Sequence, residues 1–300
     1  FIHSQEIEEI VITGSLLKDT ELDASPVEQI SSDDFDKFNI NNIAEISKFL
    51  NSSSGSRFQT NALEGVDQGM ASITLRGLNQ ASTLLLINSK RHTFAGTPSN
   101  DGEGYIDANI IPEIAFRNIE ILKEGATTAY GSDAVAGVIN FKTYKEFEGF
   151  KIRFGDQTAE NNNNKETNFG LLFGAKFLGL NAVFGFNQLD RSPFSASEIP
   201  QIAELAISGL GNTFILTDDD TVNDGLYAGE YTSGQVVPDP NCEQNGGILD
   251  GFCRFRYGTR FNLYNDENHN KIYLSLSNNN HDFTLLTSSV QVNDLSLIHI

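Results

Sequence analysis

Residues Ile121–Phe141 read ILKEGATTAYGSDAVAGVINF: two short apolar runs around a segment with glycines at 125, 131 and 137. Such spacing invites comparison with a phosphate loop, which needs G-x-x-x-x-G followed at once by Lys-Ser or Lys-Thr. Here five residues separate Gly125 from Gly131, and Ser132-Asp133 follow. An acidic side chain where a phosphate would sit repels it, so the glycines are read as turn and close-packing devices. What they hold in place has to come from the rest of the chain.

Working outward, residues 1–146 carry a mixed pattern. Glu9, Ile10, Val11, Ile12 and Thr13 form a β-branched run closed by Gly14, and Val27-Glu28-Gln29-Ile30 is a second short strand. Ser31-Ser32-Asp33-Asp34 supplies N-cap chemistry, and Ile43, Ile46, Phe49 and Leu50 recur at helical spacing, which predicts a helix. Ile73–Gly77 and Thr83–Ile87 read as two strands joined by a turn at 78–82, with Asn88-Ser89-Lys90 as the next turn. Ile119–Leu122 and Val138–Phe141 add two more strands, so this half reads as a small α/β domain.

Beyond Phe147 the period becomes two. Phe150, Ile152 and Phe154 alternate with Lys151, Arg153 and Gly155; Phe169, Leu171, Phe173 and Ala175 alternate with Asn168, Gly170, Leu172 and Gly174; Leu180, Ala182, Phe184 and Phe186 alternate with Asn181, Val183, Gly185 and Asn187. Ile272, Leu274 and Leu276 continue the pattern, and Asp282–Asn293 is a noisier fifth run. Long connections (158–165 and about 191–270) alternate with tight ones (177–179 and 278–281). That alternation marks transmembrane β-barrels, and Phe-rich faces opposed by Gly, Asn and Ser fit a lipid-facing exterior. A soluble β-sandwich with one long insertion, in a secreted or surface binding protein, is the alternative.

Composition bounds the function. Forty acidic against 20 basic residues give a formal charge of −20, which argues against nucleic acid as a partner. No run of eighteen apolar residues forms a helical span. No secretory leader opens the chain, whose first residue is Phe1, so it reads as a fragment or a processed product. Cys242 and Cys253 lie in a loop-like stretch far from any CxxC spacing, which predicts a disulfide in an oxidising compartment. The acidic run Asp218-Asp219-Asp220 lacks EF-hand spacing and reads as a solvated loop, so no metal site is assigned. With neither G-x-S-x-G nor H-E-x-x-H present, and five scattered histidines, no enzyme and no cofactor are expected.

Three segments resemble the TonB-dependent outer-membrane receptors, in which an N-terminal plug sits inside a large β-barrel. Ile111–Thr143, IPEIAFRNIEILKEGATTAYGSDAVAGVINFKT, is similar to the plug signature; Ile73–Arg91, ITLRGLNQASTLLLINSKR, to a plug hairpin; and Ile7–Gly14, IEEIVITG, to the region of the TonB box. The hairpin departs from the family pattern, with Asn88-Ser89 in place of Asp-Gly or Asn-Gly. The resemblance implies a TonB-box-like segment at 1–20, an α/β plug at 21–146, and at 147–300 the first strands of an antiparallel transmembrane barrel of about twenty-two strands. It also implies energised uptake across the outer membrane of a Gram-negative bacterium. TonB, working with ExbB and ExbD, would pair with the Glu9–Thr13 strand, and the barrel would face outer-membrane lipid. The cargo would be a small molecule or metal chelate, with ferric siderophores ahead of cobalamin, glycans, haem and peptides. Substrate contacts are expected from two plug loops: Arg57, Phe58, Gln59, Asn61 and Gln68 in one, His92, Phe94, Asn100, Asp101 and Tyr105 in the other. Gly77, Gly125, Tyr130, Gly131 and Gly137 would be structural, and Arg76 would pair with a barrel carboxylate to hold the plug.

Overall fold

A computed structural model describes residues 27–38, 40–56, 69–96, 98–99, 102–123, 125–159, 164–208, 211–216, 229, 234–258 and 260–293. The expected TonB-pairing residues Glu9–Thr13, the loop residues Arg57, Phe58, Gln59, Asn61 and Gln68, and Asn100 and Asp101 lie outside the described residues. The chain divides into two compact units. The described residues of the first fall within Phe1–Thr60, Glu64–Ser192 and Asn265–Asn293, and those of the second within Pro193–Tyr264.

The first unit begins with a five-stranded sheet made of β1 (Val27–Ser31), β2 (Thr83–Ile87), β3 (Lys90–Arg91), β4 (Phe116–Leu122) and β5 (Gly137–Thr143), in the order β1-β4-β5-β2-β3. Only β2 and β5 run parallel. Their pairing explains the sequence TLLLI: a parallel pair in a covered sheet is buried on both faces. Leu85 and Ile87 enter the main core with Ile119, Ile121, Ile139 and Phe141, while Leu84 and Leu86 meet Leu122, Ala134 and Val138 on the other face.

The opening stretch is the return from β4 to β5, through a single helical turn α2 (Thr127–Tyr130) and a 3-10 turn at Ser132–Ala134. Gly131 sits between them at φ +87°. At Gly137, φ is +143° and an added Cβ would strike the Leu122 carbonyl and come within 2.8 Å of Leu75. Here glycine is what lets β5 start flush against the end of β4.

Two expectations are corrected. Ile73–Gly77 is not a strand; its sole ladder contact is an isolated bridge from Leu75 to Ser53. Side-chain hydroxyls take the hydrogen bonds a neighbouring strand would have made: Ser56 Oγ accepts from Thr74 N (2.8 Å) and Thr83 Oγ1 from Leu75 N (3.0 Å). The expected helix is also divided, into α1 (Ser32–Phe38) and a 3-10 segment Ile43–Phe49. Ser31 and Asp34 cap α1 reciprocally: Ser31 Oγ accepts from Asp34 N, while Asp34 Oδ2 accepts from Ser31 Oγ (2.7 Å) and Ser31 N, and these two bonds hold the Asp34 carboxyl below its usual range. The break falls at Asn41 and Asn42, whose buried amides bond to other parts of the unit.

From Gly149 the chain forms an antiparallel meander: β6 (Gly149–Thr158), β7 (Lys165–Phe177) and β8 (Leu180–Arg191). The second unit follows with seven short strands, β9 (Phe194–Ser195), β10 (Ile207–Ser208), β11 (Thr213–Ile215), β12 (Val236–Pro238), β13 (Gly247–Leu249), β14 (Cys253–Arg256) and β15 (Asn262–Tyr264), and a helix α3 (Pro200–Leu205). Cys242 and Cys253 are disulfide-bonded, with Cα atoms 5.6 Å apart. The meander then resumes with β16 (Asp266–Ser277) on β8 and β17 (Asp282–Asn293) on β16. The long connection is therefore shorter than the expected 191–270, because the ladder continues through Arg191 and restarts at Asp266. It also has strands of its own.

Cross-strand register aligns the apolar side chains into rows. Phe150 faces Phe173, which faces Phe184, then Leu274 and Leu285. Phe150 and Phe154 are 73% and 71% exposed, while Asn168, Asn187, Glu166, Arg191, His269 and Lys271 on the opposite face are buried. An aromatic exterior and a polar interior are the arrangement of a strand wall in lipid, the reverse of a soluble sandwich. At the tight turn Leu178-Gly179, both residues have positive φ, as a two-residue hairpin requires. Asn88 and Ser89 adopt the same conformation, at φ 51° and 62°. Ser89 N donates to Asn140 Oδ1 and Thr143 N donates to Asn88 Oδ1, both at 2.9 Å, so the unusual turn sequence keeps its hairpin.

Candidate functional site

On β7, β8 and β16 the polar face of the meander is buried. It meets the small sheet domain across a seam of buried charge and amide groups. Glu113, in the 3-10 turn Glu113–Ala115, points its carboxylate at Lys271 of β16, with Nζ 2.5 Å from Oε1; the same oxygen accepts from Ile43 N at 3.3 Å. Both charged side chains are almost wholly buried. Next along the chain, Ile114 N donates to Asn187 Oδ1 (2.8 Å), Asn187 Nδ2 to Asn168 Oδ1 (3.2 Å), and Asn168 Nδ2 to the Asn41 carbonyl (2.7 Å). Asn41 Nδ2 in turn donates to Glu166 Oε1 at 2.9 Å.

Glu166 leads to a second ionic centre. Arg191 places Nε and Nη2 each 2.7 Å from Glu166 Oε2, Nη1 3.4 Å from Glu267, and Nη2 3.9 Å from Glu45 of the small domain. His269 Nε2 lies 3.0 Å from Glu267. At the other end of the strands, Tyr273 donates to the Tyr144 carbonyl (2.6 Å), Ser277 to the Lys145 carbonyl, and Lys145 pairs with Asp282 at 2.6 Å.

A buried ion pair contributes little net adhesion, because desolvating two charges offsets most of their attraction; losing one partner, by contrast, strands a charge. The polar groups of the seam therefore fix where the domain sits, while adhesion rests on one small apolar cluster, Ile114 and Ala115 against Leu172, Val183 and Tyr273. Arg76, expected to pair with a barrel carboxylate, is exposed in a left-handed turn with Gly77, and among the described residues it makes no ion pair with the strands. The parity of the strands could have revealed the seam, since Glu166, Arg191, Glu267 and Lys271 all alternate with the outward apolar positions.

Of the expected substrate contacts, His92 and Phe94 come together. They line one cavity of about 360 Å³ with Met70, Asp107 and Val290, and a second of about 250 Å³ with Arg91 and Asp133. Tyr105 lines the smaller cavity from beneath; it is buried, and its hydroxyl donates to Met70 Sδ at 3.1 Å. Asp133, beside the glycines, is the partner of Arg91, which also bonds to the Tyr130 carbonyl. The Arg91 hydrogen bond holds the Asp133 carboxyl below its usual range. Burial pushes the Asp107 carboxyl up, although its Oδ1 accepts from Ala71 N and Asn109 N.

A small mixed sheet docked by buried polar groups on a lipid-facing strand wall defines a plugged outer-membrane barrel. The family model for the TonB-dependent receptor plug domain matches residues 20–138. The iron-regulated outer membrane virulence protein of Vibrio cholerae is 40% identical over 75 residues, 25% of this chain and 12% of that protein. A probable TonB-dependent siderophore receptor, PirA of Acinetobacter baumannii, is 30% identical over 127 residues, 40% of this chain and 16% of that protein. Among solved structures, a variant of the ferric enterobactin receptor PfeA of Pseudomonas aeruginosa superposes with a TM-score of 0.54 at 16% identity, covering 90% of this chain and 34% of that one. The chain thus spans about a third of that receptor's length. It carries the plug of the TonB-dependent receptors followed by antiparallel strands of their barrel, and it is a Gram-negative outer-membrane protein.

Replacing Lys271 by Met strands Glu113 in the seam and is expected to cost about 3–5 kcal/mol. The double variant Lys271→Met with Glu113→Leu recovers most of that loss. Thermal unfolding of the four proteins of the cycle measures the coupling, and additive losses would contradict the pairing. Asp107 has a raised folded-state pKa, so its stabilising contribution is present at low pH and is lost as pH rises through that value. Asp107→Asn keeps the Oδ1 acceptor, so the variant should be at least as stable as the parent at pH 7 and should lack this part of the pH dependence. Unfolding midpoints taken across pH 4–8 check it.

Proposed function

We propose that the protein is a TonB-dependent importer of a scarce iron chelate. The substrate settles above the plug, against His92 and Phe94, with Arg57, Phe58, Gln59, Asn61, Gln68, Asn100 and Asp101 as the further contacts proposed from the sequence. TonB, energised through ExbB and ExbD, pairs with Glu9–Thr13 as an added strand and pulls. The seam gives way and the plug shifts within the barrel. Iron chelates lead the substrate list because the Vibrio relative is iron-regulated and the Acinetobacter relative and the solved neighbour are named for siderophores.

The observation that supports this reading most is the chemistry of the seam. A permanent stopper needs only apolar packing. The contacts here are mostly ion pairs and amide bonds, which water can replace one by one as the plug moves, around one small apolar cluster of Ile114 and Ala115 with Leu172, Val183 and Tyr273.

The test is a reversible tether. An ideal Cβ at Gly185 of β8 lies 3.4 Å from Ala115 Cβ of the plug, close to the usual Cβ separation of about 3.5–4.5 Å in disulfides. In the receptor produced from its complete gene, Ala115→Cys with Gly185→Cys should bind ferric chelate but stop its uptake by living cells under oxidising conditions. A reductant should restore uptake. Undiminished uptake by the fully oxidised pair would contradict a plug that has to move.

A further inference from the structure

Met70 is the single methionine in these 300 residues, and its sulfur accepts a hydrogen bond in the wall of a cavity. We propose that Met70 is an oxidation switch: hydrogen peroxide converts it to the sulfoxide, the Tyr105 hydroxyl holds the product, and the altered wall grips a ferric chelate less tightly. The effect on cargo rests on the importer reading; the oxidation itself does not.

Methionine is ordinarily a mobile filler of irregular apolar gaps. Here the backbone on both sides of it is pinned. The Gly69 carbonyl accepts from Asn109 Nδ2 (2.9 Å), Ala71 N donates to Asp107 Oδ1 (2.9 Å), and the Ala71 carbonyl accepts from Ala108 N (2.8 Å). Gly69 also lies so close to β17 that an added Cβ would come within 2.7 Å of Val290 and 2.8 Å of Val292. From this fixed stretch the half-buried Met70 side chain reaches the cavity of about 360 Å³ that His92 and Phe94 also line. Both of those residues are exposed, Phe94 by 61%, so the cavity admits a molecule as small as peroxide.

Tyr105 decides what oxidation does there. Its ring is buried, and its hydroxyl donates to Met70 Sδ at 3.1 Å. A thioether is a weak acceptor, whereas a sulfoxide is a polar group with an oxygen to receive the same donor. Oxidation therefore strengthens an existing hydrogen bond and does not leave a new dipole without a partner. The step balances between its two reactants. A sulfur lone pair attacks one peroxide oxygen, the O–O bond breaks, and the proton on the transferred oxygen passes to the departing hydroxide, giving methionine sulfoxide and water. Sulfur loses two electrons and peroxide gains them; Tyr105 ends unchanged.

The consequence falls on the cavity wall. The sulfoxide places a permanent dipole and an added oxygen atom beside Phe94, Ile110 and Val290, where the thioether offered an apolar surface. Cargo resting on this wall loses apolar contact. Iron and peroxide together generate hydroxyl radicals, so a peroxide-triggered loss of grip on iron limits the damage.

The experiment uses the purified receptor produced from its complete gene, with ferric tris-catecholate, ferric trihydroxamate and ferric citrate as probes; the one that the untreated receptor binds most tightly is followed. After a pulse of peroxide, peptide mass spectrometry should find Met70 oxidised, and Tyr105→Phe should slow its oxidation about fivefold. Binding should weaken about tenfold and return after treatment with methionine sulfoxide reductase. Met70→Leu should bind equally before and after peroxide. Met70→Gln, whose amide oxygen stands in for the sulfoxide, should bind weakly at the outset and change no further. A Met70 that stays unoxidised, an oxidised Met70 with binding unchanged, or a loss of binding in Met70→Leu as large as in the parent would each overturn the proposal. Reversal by the reductase separates oxidation of methionine from damage to the fold. Failure of the untreated receptor to bind any of the three chelates would sink the importer reading, while the mass measurement would still decide whether Met70 is the oxidised residue.

Discussion

Everything in the first unit depends on burying the polar face of a membrane strand wall without leaving its charges alone. Once the aromatic rows face lipid, Asn168, Asn187, Glu166, Arg191, Glu267 and Lys271 are forced to the other side. There, each needs a partner, because an isolated buried charge is too costly to keep. The small sheet domain supplies partners through Glu113, Glu45, Ile114 N and the Asn41 carbonyl. Seat and occupant therefore specify one another, and the resulting bond is one that water can replace.

The two sheets of the unit solve opposite problems. In the plug, β2 and β5 are apolar on both faces because each face is covered, which gives a rigid body with its own core. In the strand wall, one face is apolar for lipid and the other polar for the seam. In the proposed import cycle, a rigid body, a polar seam and a lipid-stable wall would let the plug move while both its own fold and the barrel's survive.

Much of this was legible in the chain. Gly125 and Gly137 mark places where backbone approaches backbone, so the opening stretch could be read as a tight return before any partner was known. Alternation in 150–154, 169–175 and 180–186, broken only at Leu172 and Val183, carried the strand wall for the same kind of reason: side-chain parity is a local property. The failures were non-local. Ile73–Gly77 has a strand's composition, yet the hydroxyls of Ser56 and Thr83 replace its ladder, and nothing within the segment announces them. Glu113 and Lys271 are 158 positions apart, so their pairing could not be read from spacing.

The central claim is that the seam opens while the plug's sheet stays folded. Hydrogen exchange tests it most directly, with the receptor pulse-labelled in cells during uptake of ferric chelate, in the presence and absence of a working TonB complex. The informative amides are those of Ile114 and Ile43, which donate across or beside the seam, and those of Ile119, Ile121 and Ile139 inside the plug sheet. The account predicts that TonB accelerates exchange at Ile114 and Ile43 and leaves the sheet amides protected. Loss of protection at both sets together would mean that the plug unfolds to let cargo pass, and the polar seam would then not be the element that yields.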